Sequence, residues 1–577
     1  MKNKEIADKF TEIAHLLEIK GDNSFKIRSY EKAAETIENL GHDIEGDCLS
    51  GNLEKIPGIG ESIAGKIREY ISSGKIKKLE GLRKEIPRGL LEMLKVPGLG
   101  PAKIKLIYEK LGVKSMRGLD IAARRGELAA LPGMGEKSAA NILRGLEIIN
   151  RLDGRLLMST AQDLAEEFLD VLRKEKSCGE ALACGSIRRG CETIGDIDLL
   201  VVSDEPKKII DKFIEIPGVE KVISAGDSKA GVYTSGDVRI DLRVVGEKSY
   251  GTAMLYFTGS KEHNIALRKL ALKKSFTLNE YGLYEQKTEK YVAGKTEKDV
   301  YARLGLEFIP PELRENRGEI EQALQKHLPC LVKFKDIKGD LHLHSVYSDG
   351  SVEIRVLAAR ALELGYEWIA ICDHSMSLKI ANGLSIKTLM KKKEEIEELN
   401  KTSRVKILFG AEVDILPDGK LDYPDEILKE LDICLGAIHS VFSQSPDVLN
   451  KRVLKAMDNP FLDILAHPTA RLIGKRPPLA LDMEKIIEKA VDKKIILEVN
   501  AFPDRRDLKE EHCLMALKKG AMLSLGTDSH ALYHMDNMKY GLMNLRRAGC
   551  EKKNVLNTRP MAELQKIISA RRNISND

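Results

Sequence analysis

From residue 336 onward, short apolar runs alternate with amphipathic helical patterns, and the residues that close the runs are histidines and carboxylates. Trp368–Cys372, Val405–Phe409, Ile433–Ala437 and Ile495–Val499 are such runs. Short runs rich in Ile, Val and Leu read as buried strands. Their alternation with helices predicts an α/β barrel, here a distorted, TIM-like one. At or just beyond the run ends stand His342, His344, Asp349, His374, Glu412, His439, His467, Asp528 and His530. His342 with His344, and Asp528 with His530, share a face by the two-residue period of a strand. One such histidine is more often a packed side chain than a ligand. Six histidines and three carboxylates at successive strand ends instead suit two or three Zn²⁺ or Mn²⁺ ions at the mouth of a barrel.

A second chemical signal lies mid-chain, in Gly185-Ser186-Ile187-Arg188-Arg189-Gly190-Cys191-Glu192-Thr193-Ile194-Gly195-Asp196-Ile197-Asp198. After Gly195 the chain alternates as a strand. Ile197, Leu199 and Val201 face one side, Asp196 and Asp198 the other. A second alternating stretch, Val238–Val244, presents Asp241. Three carboxylates on adjacent strands can hold two divalent metals of the kind that activate a 3′-hydroxyl and neutralise a triphosphate, and hard Mg²⁺ (or Mn²⁺) suits such oxygen ligands. Ser186 and the backbone after it can bond phosphate oxygens, and Arg189 can add a charge-assisted bond. Further on, Tyr256-Phe257-Thr258-Gly259-Ser260 reads as a tight turn entering a helix, with an aromatic ledge that leaves room for a deoxyribose. Asn264 and Arg268 are four apart, so they share a helical face.

The N-terminal part repeats itself. Ile56-Pro57-Gly58-Ile59-Gly60, Val96-Pro97-Gly98-Leu99-Gly100 and Leu131-Pro132-Gly133-Met134-Gly135 share one frame, spaced 40 and then 35 residues apart. Apolar helical patterns precede and follow each copy. Helix, glycine turn, helix is the helix-hairpin-helix motif. Its glycines allow positive φ and close approach of a ligand, and the next helix points unpaired N–H groups at a phosphate. Such contacts read the backbone of DNA and not its sequence. Charge agrees: residues 1–50 carry 7 Lys+Arg against 11 Asp+Glu, whereas residues 51–150 carry 19 against 11.

Composition excludes other classes. At 43% hydrophobic and 31% charged, the chain is an ordinary globular protein of several domains. No apolar run is long enough to span a bilayer and MKNKEIADKF has no apolar signal core, so a cytoplasmic location and no membrane partner are expected. The 9 cysteines include no CxxC pair and are expected to be reduced thiols.

The blocks around Asp196, Asp241 and Tyr256 resemble those of the family X DNA polymerases, over residues 1 to about 317. The resemblance implies that Asp196, Asp198 and Asp241 bind the metals and that Ser186, Arg189 and Gly195 contact the triphosphate. Tyr256, Phe257 and Gly259 would line the sugar, Asn264 the incoming base, and Arg268 would lie near the templating base. Phe25–Ala34 is similar to the family's small N-terminal domain. Relatives with 5′-deoxyribose-phosphate lyase activity form a Schiff base on a lysine matching Lys66. Ser62 and Phe25 depart from the helper positions, however, which favours a phosphate contact for Lys66. Residues 336 to about 571 resemble the polymerase and histidinol phosphatase (PHP) domain, whose metal positions the nine residues above match. That resemblance implies 3′→5′ exonuclease, 3′-phosphatase or abasic-site endonuclease activity. Ala470 stands where relatives often have glycine, and Phe502 and Arg506 are unusual. Arg471 and Arg476 are candidates to grip a phosphate or are surface residues.

The expected architecture is a multidomain α/β protein: a small helical domain with the first hairpin (1–85), fingers with the further hairpins (86–150), an α+β nucleotidyltransferase palm (151–245), a thumb (246–317), an ordered connector (318–335) and the PHP barrel (336–577). The expected partners are gapped or primer–template DNA and dNTPs, and the chain is read as a monomer that fills short gaps in DNA repair. A DNA-binding scaffold without catalysis fits the hairpins but not the aspartate triad. An active polymerase with a structural or differently specific barrel remains the competing reading.

Overall fold

The computed structural model describes residues 2–38, 40, 43–94, 96, 99–136, 138–139, 142, 146, 154–234 and 237–573. The chain divides into two compact units: Met1–Leu152 with Leu472–Pro477, and Asp153–Arg471 with Pro478–Asp577. Among the described residues no helix is long and apolar enough to cross a membrane, and all nine cysteines are free.

The first unit is helical. Asn3–Lys20 and Ser24–Glu38 pack as a pair, and Glu61–Ser73, Lys77–Glu85, Pro101–Leu111 and Met116–Arg124 follow. Their apolar stripes recur at helical spacing, as in Phe10, Ile13 and Leu17, so one core collects Phe10, Ile37, Ile67, Leu82, Ile107 and Met134.

The second unit holds a five-stranded sheet of β2 (Ala181–Ala183), β4 (Ile197–Val202), β5 (Val219–Ala225), β6 (Lys229–Thr234) and β7 (Arg239–Val245). Its strand order is β2-β4-β7-β6-β5. The short strands β1 (Leu156–Leu157) and β3 (Thr193–Ile194) pair beside it. Ile197, Leu199, Ile240, Leu242 and Val244 turn one face onto helices Met158–Arg173 and Pro206–Ile214, where Phe168 and Phe213 complete the core. The other face is left for the polar residues of the alternation. Next come helices Tyr250–Thr258 and Lys261–Lys273 and a three-stranded sheet, β8 (Phe276–Asn279), β9 (Gly282–Glu285) and β10 (Tyr291–Ala293).

The connector is ordered, but its helix is short. Glu319–Gln325 is helical, Lys326 takes φ 59°, and the chain then runs largely extended to Lys333. Glu319 is buried and receives the backbone N–H groups of Asn316 and Arg317 and the ring of His263.

A seven-stranded parallel sheet follows, in sequence order: β11 (Gly339–Leu343), β12 (Trp368–Ile371), β13 (Lys406–Asp414), β14 (Ile433–Ala437), β15 (Ile464–Leu465), β16 (Ile496–Asn500) and β17 (Leu523–Gly526). A bridge between Leu343 and Ser529 brings its last edge back to its first, so the barrel is nearly closed. Leu341, Trp368, Ala370, Leu408, Leu435 and Ile464 belong to one core cluster; Leu343, Ile369, Ile371, Ile407 and Val413 belong to the other, packed with the flanking helices. Strands buried on both faces explain the near-continuous apolar runs of the sequence.

Candidate active sites

β4 and β7 are parallel neighbours, and their register sets Asp198 directly beside Asp241. Asp196 precedes β4 by one residue. The triad of the sequence is therefore assembled on one sheet face. Burial, then the neighbouring Asp196 and Asp241, push the Asp198 carboxyl up to about 7. A carboxylate whose ionisation is opposed by two others beside it belongs to a donor set suited to divalent cations. Gly185 packs directly against Asp198. It takes φ +56°, and a Cβ there would lie 2.3 Å from Asp198 Oδ2.

A cavity of about 440 Å³ opens over Asp196 and Asp198. Ser186, Arg189, Gly195, Tyr256, Phe257, Gly259, Asn264 and Arg268 all line it. Asn264 is aimed by its own Nδ2–H bond to the Tyr256 carbonyl, at 2.7 Å. Tyr256 and Phe257 meet edge to face with centroids 5.2 Å apart. Arg189 lines the cavity but is already engaged. Its Nη1 donates to the Thr258 carbonyl at 2.6 Å and its Nε to Glu315 at 3.0 Å. Sequence reading missed two residues here. Gly185 stood in the quoted block without a role, and Arg155, which lines the cavity, had no motif around it.

In the barrel the nine expected residues converge from six strands. His342 is on β11 and His344 follows it, His374 follows β12, Glu412 is on β13, His439 follows β14, His467 follows β15, and Asp528 and His530 follow β17. Glu412 stands at the centre. Its Oε2 lies 3.4 Å from His342, 3.5 Å from His344 and 3.0 Å from His374, and its Oε1 lies 3.2 Å from His439 and 2.7 Å from His467. Asp349 sits 3.5 Å from His374 and 3.3 Å from His530, and Asp528 lies 3.2 Å from His344. Three overlapping groups can each hold an ion: His344 with Asp349, His374 and His530; His342 with His344 and Glu412; His374 with Glu412 and His439.

The donor chemistry fits cations. His342 Nε2, both nitrogens of His344, His374 Nδ1, Glu412 Oε2 and His467 Nδ1 are buried without a hydrogen-bond partner, an arrangement native interiors rarely tolerate. Two ligands about 2.1 Å from one tetrahedral ion stand about 3.4 Å apart, close to the 3.4 Å and 3.5 Å that separate Glu412 from His342 and His344. Burial, with His530 and His374 beside it, holds the His344 imidazole down to about 3, so it keeps a lone pair to donate. Burial opposes the charge of Glu412, yet His439, His342 and His374 outweigh it and hold its carboxyl well below the usual range.

Residues behind the ligands fix their aim. Glu498 Oε1 meets His342 Nδ1 at 2.7 Å and its Oε2 accepts the His467 backbone N–H; Asp414 meets His439 Nδ1 at 2.6 Å. Neither role was read from the sequence. Glu498 was visible as the one carboxylate in the run Ile495–Val499, and Asp414 as a second carboxylate two residues after Glu412. His467 and Asp528 take φ 24° and 52°, a conformation that side chains with a Cβ seldom adopt. Ala470 takes φ 48°, a conformation that glycine adopts more readily than alanine. Arg471 does not face an open mouth: it is 8% exposed and bonds Glu192 and the carbonyls of Arg505 and Arg506.

The hairpins divide their glycines into two kinds. Gly58 and Gly133 take φ +88° and +74°, as a tight turn requires. Gly60 and Gly100 take φ −83° and cap helices Glu61–Ser73 and Pro101–Leu111. Among the described residues, a Cβ at Gly60, Gly100 or Gly135 would meet nothing within 4 Å. The fold itself thus leaves these three positions open. Gly98 lies outside the described residues. Lys66 Nζ donates to the Ser62 carbonyl at 2.9 Å and hydroxyl at 3.0 Å, and burial, then Glu69 and Lys78 with opposed effects, leaves its pKa below the ordinary lysine value.

The palm and its cavity define a nucleotidyltransferase, and the barrel mouth a metal-dependent phosphoesterase, in one chain. Family models agree along its length: a helix-hairpin-helix domain at residues 1–76, a SAM-like helix-hairpin-helix tandem at 90–147, the DNA polymerase beta thumb at 253–315 and the PHP domain at 340–501. A DNA polymerase/3′-5′ exonuclease PolX of Bacillus subtilis (strain 168) is 38% identical over 568 residues, 98% of this chain and 99% of that protein. A probable phosphatase of Thermoanaerobacter sp. (strain X514) is 31% identical over 234 residues, 38% of this chain and 89% of that protein. The chain belongs to the PolX group of family X DNA polymerases.

Proposed function

We propose that this protein fills short gaps in DNA by template-directed nucleotidyl transfer and removes nucleotides from 3′ ends in its barrel. The observation that carries the first half is the pairing of Asp198 with Asp241, beside Asp196, under a cavity lined by the whole expected nucleotide set. Asp196, Asp198 and Asp241 would hold Mg²⁺ (or Mn²⁺), which lowers the pKa of a 3′-hydroxyl and neutralises the triphosphate when bound. Ser186, Arg189 and Gly195 bind the triphosphate, Tyr256, Phe257 and Gly259 seat the sugar, Asn264 meets the base, and Arg268 lies toward the template. Gly58, Gly60, Gly98, Gly100, Gly133 and Gly135 form the hairpins that hold the phosphate backbone of primer and template. Lys66 contacts a phosphate there, and its lowered pKa also suits a lyase nucleophile.

The second half rests on Glu412 and the eight residues around it, which would hold two or three Zn²⁺ or Mn²⁺ ions. Such ions supply a nucleophile at neutral pH and stabilise charge on a phosphoester. Glu498 and Asp414 hold the ligand rings in place for that. Linkage to a polymerase favours a 3′ end as substrate. Similarity to a probable phosphatase favours a second reading, hydrolysis of a 3′-phosphate, by the same ligands. The test is a gapped duplex with a 5′-labelled primer. Extension with dNTPs, and shortening without them, are expected in Mn²⁺. A primer ending in 3′-phosphate separates the two readings: release of phosphate alone supports the second. A primer left unchanged in both arms overturns the proposal.

Two variants follow from the glycines. Gly185→Ala is expected to slow extension by on the order of a hundredfold, because the new methyl displaces a metal-site carboxylate; single-turnover rates at saturating dNTP measure this. Gly60→Leu is expected to weaken DNA binding about tenfold for every sequence alike, with an unchanged thermal midpoint, because the leucine meets only the incoming backbone. Titration of two unrelated gapped duplexes by fluorescence anisotropy checks it, and loss confined to one duplex contradicts it.

A further inference from the structure

The palm turn that carries Ser186 is held by arginines of the barrel. Helix Gly185–Arg188 runs into Arg189, Gly190, Cys191 and Glu192 before the chain reaches Asp196. Arg506 is fully buried, and its guanidinium donates to two backbone carbonyls of this turn, Cys191 at 2.9 Å and Gly190 at 2.9 Å. Asn544 holds the same guanidinium from behind. Arg547 donates to the Arg189 carbonyl at 2.7 Å and pairs with Glu315, the carboxylate that also holds the Arg189 side chain. The barrel helix Met538–Arg547 lies against the turn itself: Gly190 takes φ +73°, and a Cβ there would come within 3.3 Å of Met543.

A buried guanidinium is expensive, and replacing buried charge by apolar side chains is often neutral or stabilising. Stability therefore gives a poor account of Arg506. Its acceptors give a better one. Carbonyl oxygens are fixed to the backbone, so two bonds from one planar fork set the path of the main chain at Gly190 and Cys191. Ser186 and Arg189, which line the nucleotide cavity, belong to the same turn.

We propose that Arg506, seconded by Arg547, is a positioning residue for nucleotidyl transfer, so that the barrel shapes the palm's grip on the triphosphate of the incoming nucleotide. The inference rests on the polymerase reading above. It gives the buried Arg506 a role at the other site.

The experiment uses the full chain on a gapped duplex and reads the KM for dNTP, kcat, the dissociation constant for DNA and the thermal midpoint. Arg506→Met keeps the stem and removes the fork. KM for dNTP is expected to rise about tenfold, with kcat within about threefold and DNA affinity unchanged. Arg506→Lys, which keeps charge but cannot span both carbonyls, is expected to fall between. A merely structural role would lower the midpoint and scale kcat with the folded fraction, leaving KM as in the wild type; that result overturns the proposal. Should Arg506→Met fail to fold, Arg547→Lys serves instead: it keeps the carboxylate partners but shortens the reach to Arg189, and an unchanged KM there likewise overturns the proposal. A wild-type protein that neither extends the primer nor binds dNTP overturns the polymerase reading, and this inference with it.

Discussion

Asp198→Ala abolishes primer extension while leaving DNA binding intact: this is the largest effect expected in the palm. The half-buried carboxylate has Asp196 and Asp241 beside it, and its register with Asp241 makes it the shared edge of the donor set. Loss of a metal ligand removes several kcal/mol of transition-state stabilisation, so the rate should fall on the order of a thousandfold or more. The hairpins lie elsewhere in the chain, so anisotropy on gapped DNA should give the wild-type affinity. Asp198→Asn tests the charge alone, because its shape is nearly unchanged. Extension by either variant within tenfold of wild type would remove the triad from the chemistry.

Glu412→Gln carries the corresponding expectation for the barrel. Five imidazoles face its two oxygens, and several of those nitrogens have no other partner. An amide keeps one acceptor but brings an N–H toward lone pairs that should meet a cation. Hydrolysis should drop on the order of a thousandfold, and the metal content of the purified protein, measured by plasma emission, should fall with it. His439→Ala should act in the same direction. Extension should persist in both, since the palm has its own carboxylates. A His439→Ala protein that shortens the primer as fast as wild type would place hydrolysis elsewhere, and metal content equal to wild type in Glu412→Gln would remove that residue from the ligand set.

Much of both sites was legible because strand period and run ends are local properties. Asp196 and Asp198 announce a face by alternation, and the barrel ligands sit where apolar runs stop. What was not legible depends on partners distant in the chain. Nothing in Val238–Val244 says that Asp241 pairs with Asp198 and not with a residue further along. Glu498 reads as an odd carboxylate in a strand until His342 is placed against it. Arg471 read as a phosphate grip or a surface residue because it follows His467, whereas its guanidinium is taken by Glu192, 279 residues away. The hairpin glycines look alike in sequence, yet backbone angles separate Gly58 from Gly60: one is demanded by the turn, the other is left open by the fold.

The barrel ligands also set an order of events during synthesis. Its first histidine lies on β11 and its last ligands follow β17, the strand that closes the ring onto Leu343. One group of candidate ligands, His344 with Asp349, His374 and His530, joins the start of that circuit to its end. A nascent barrel lacking β17 would present Glu412 and its imidazoles without Asp528 and His530, and contacts of such long sequence separation form late. The group that includes His530 is then complete only when the ring has shut, whereas the two groups that share Glu412 need only the strands up to β14, and the palm, encoded upstream, has already been made.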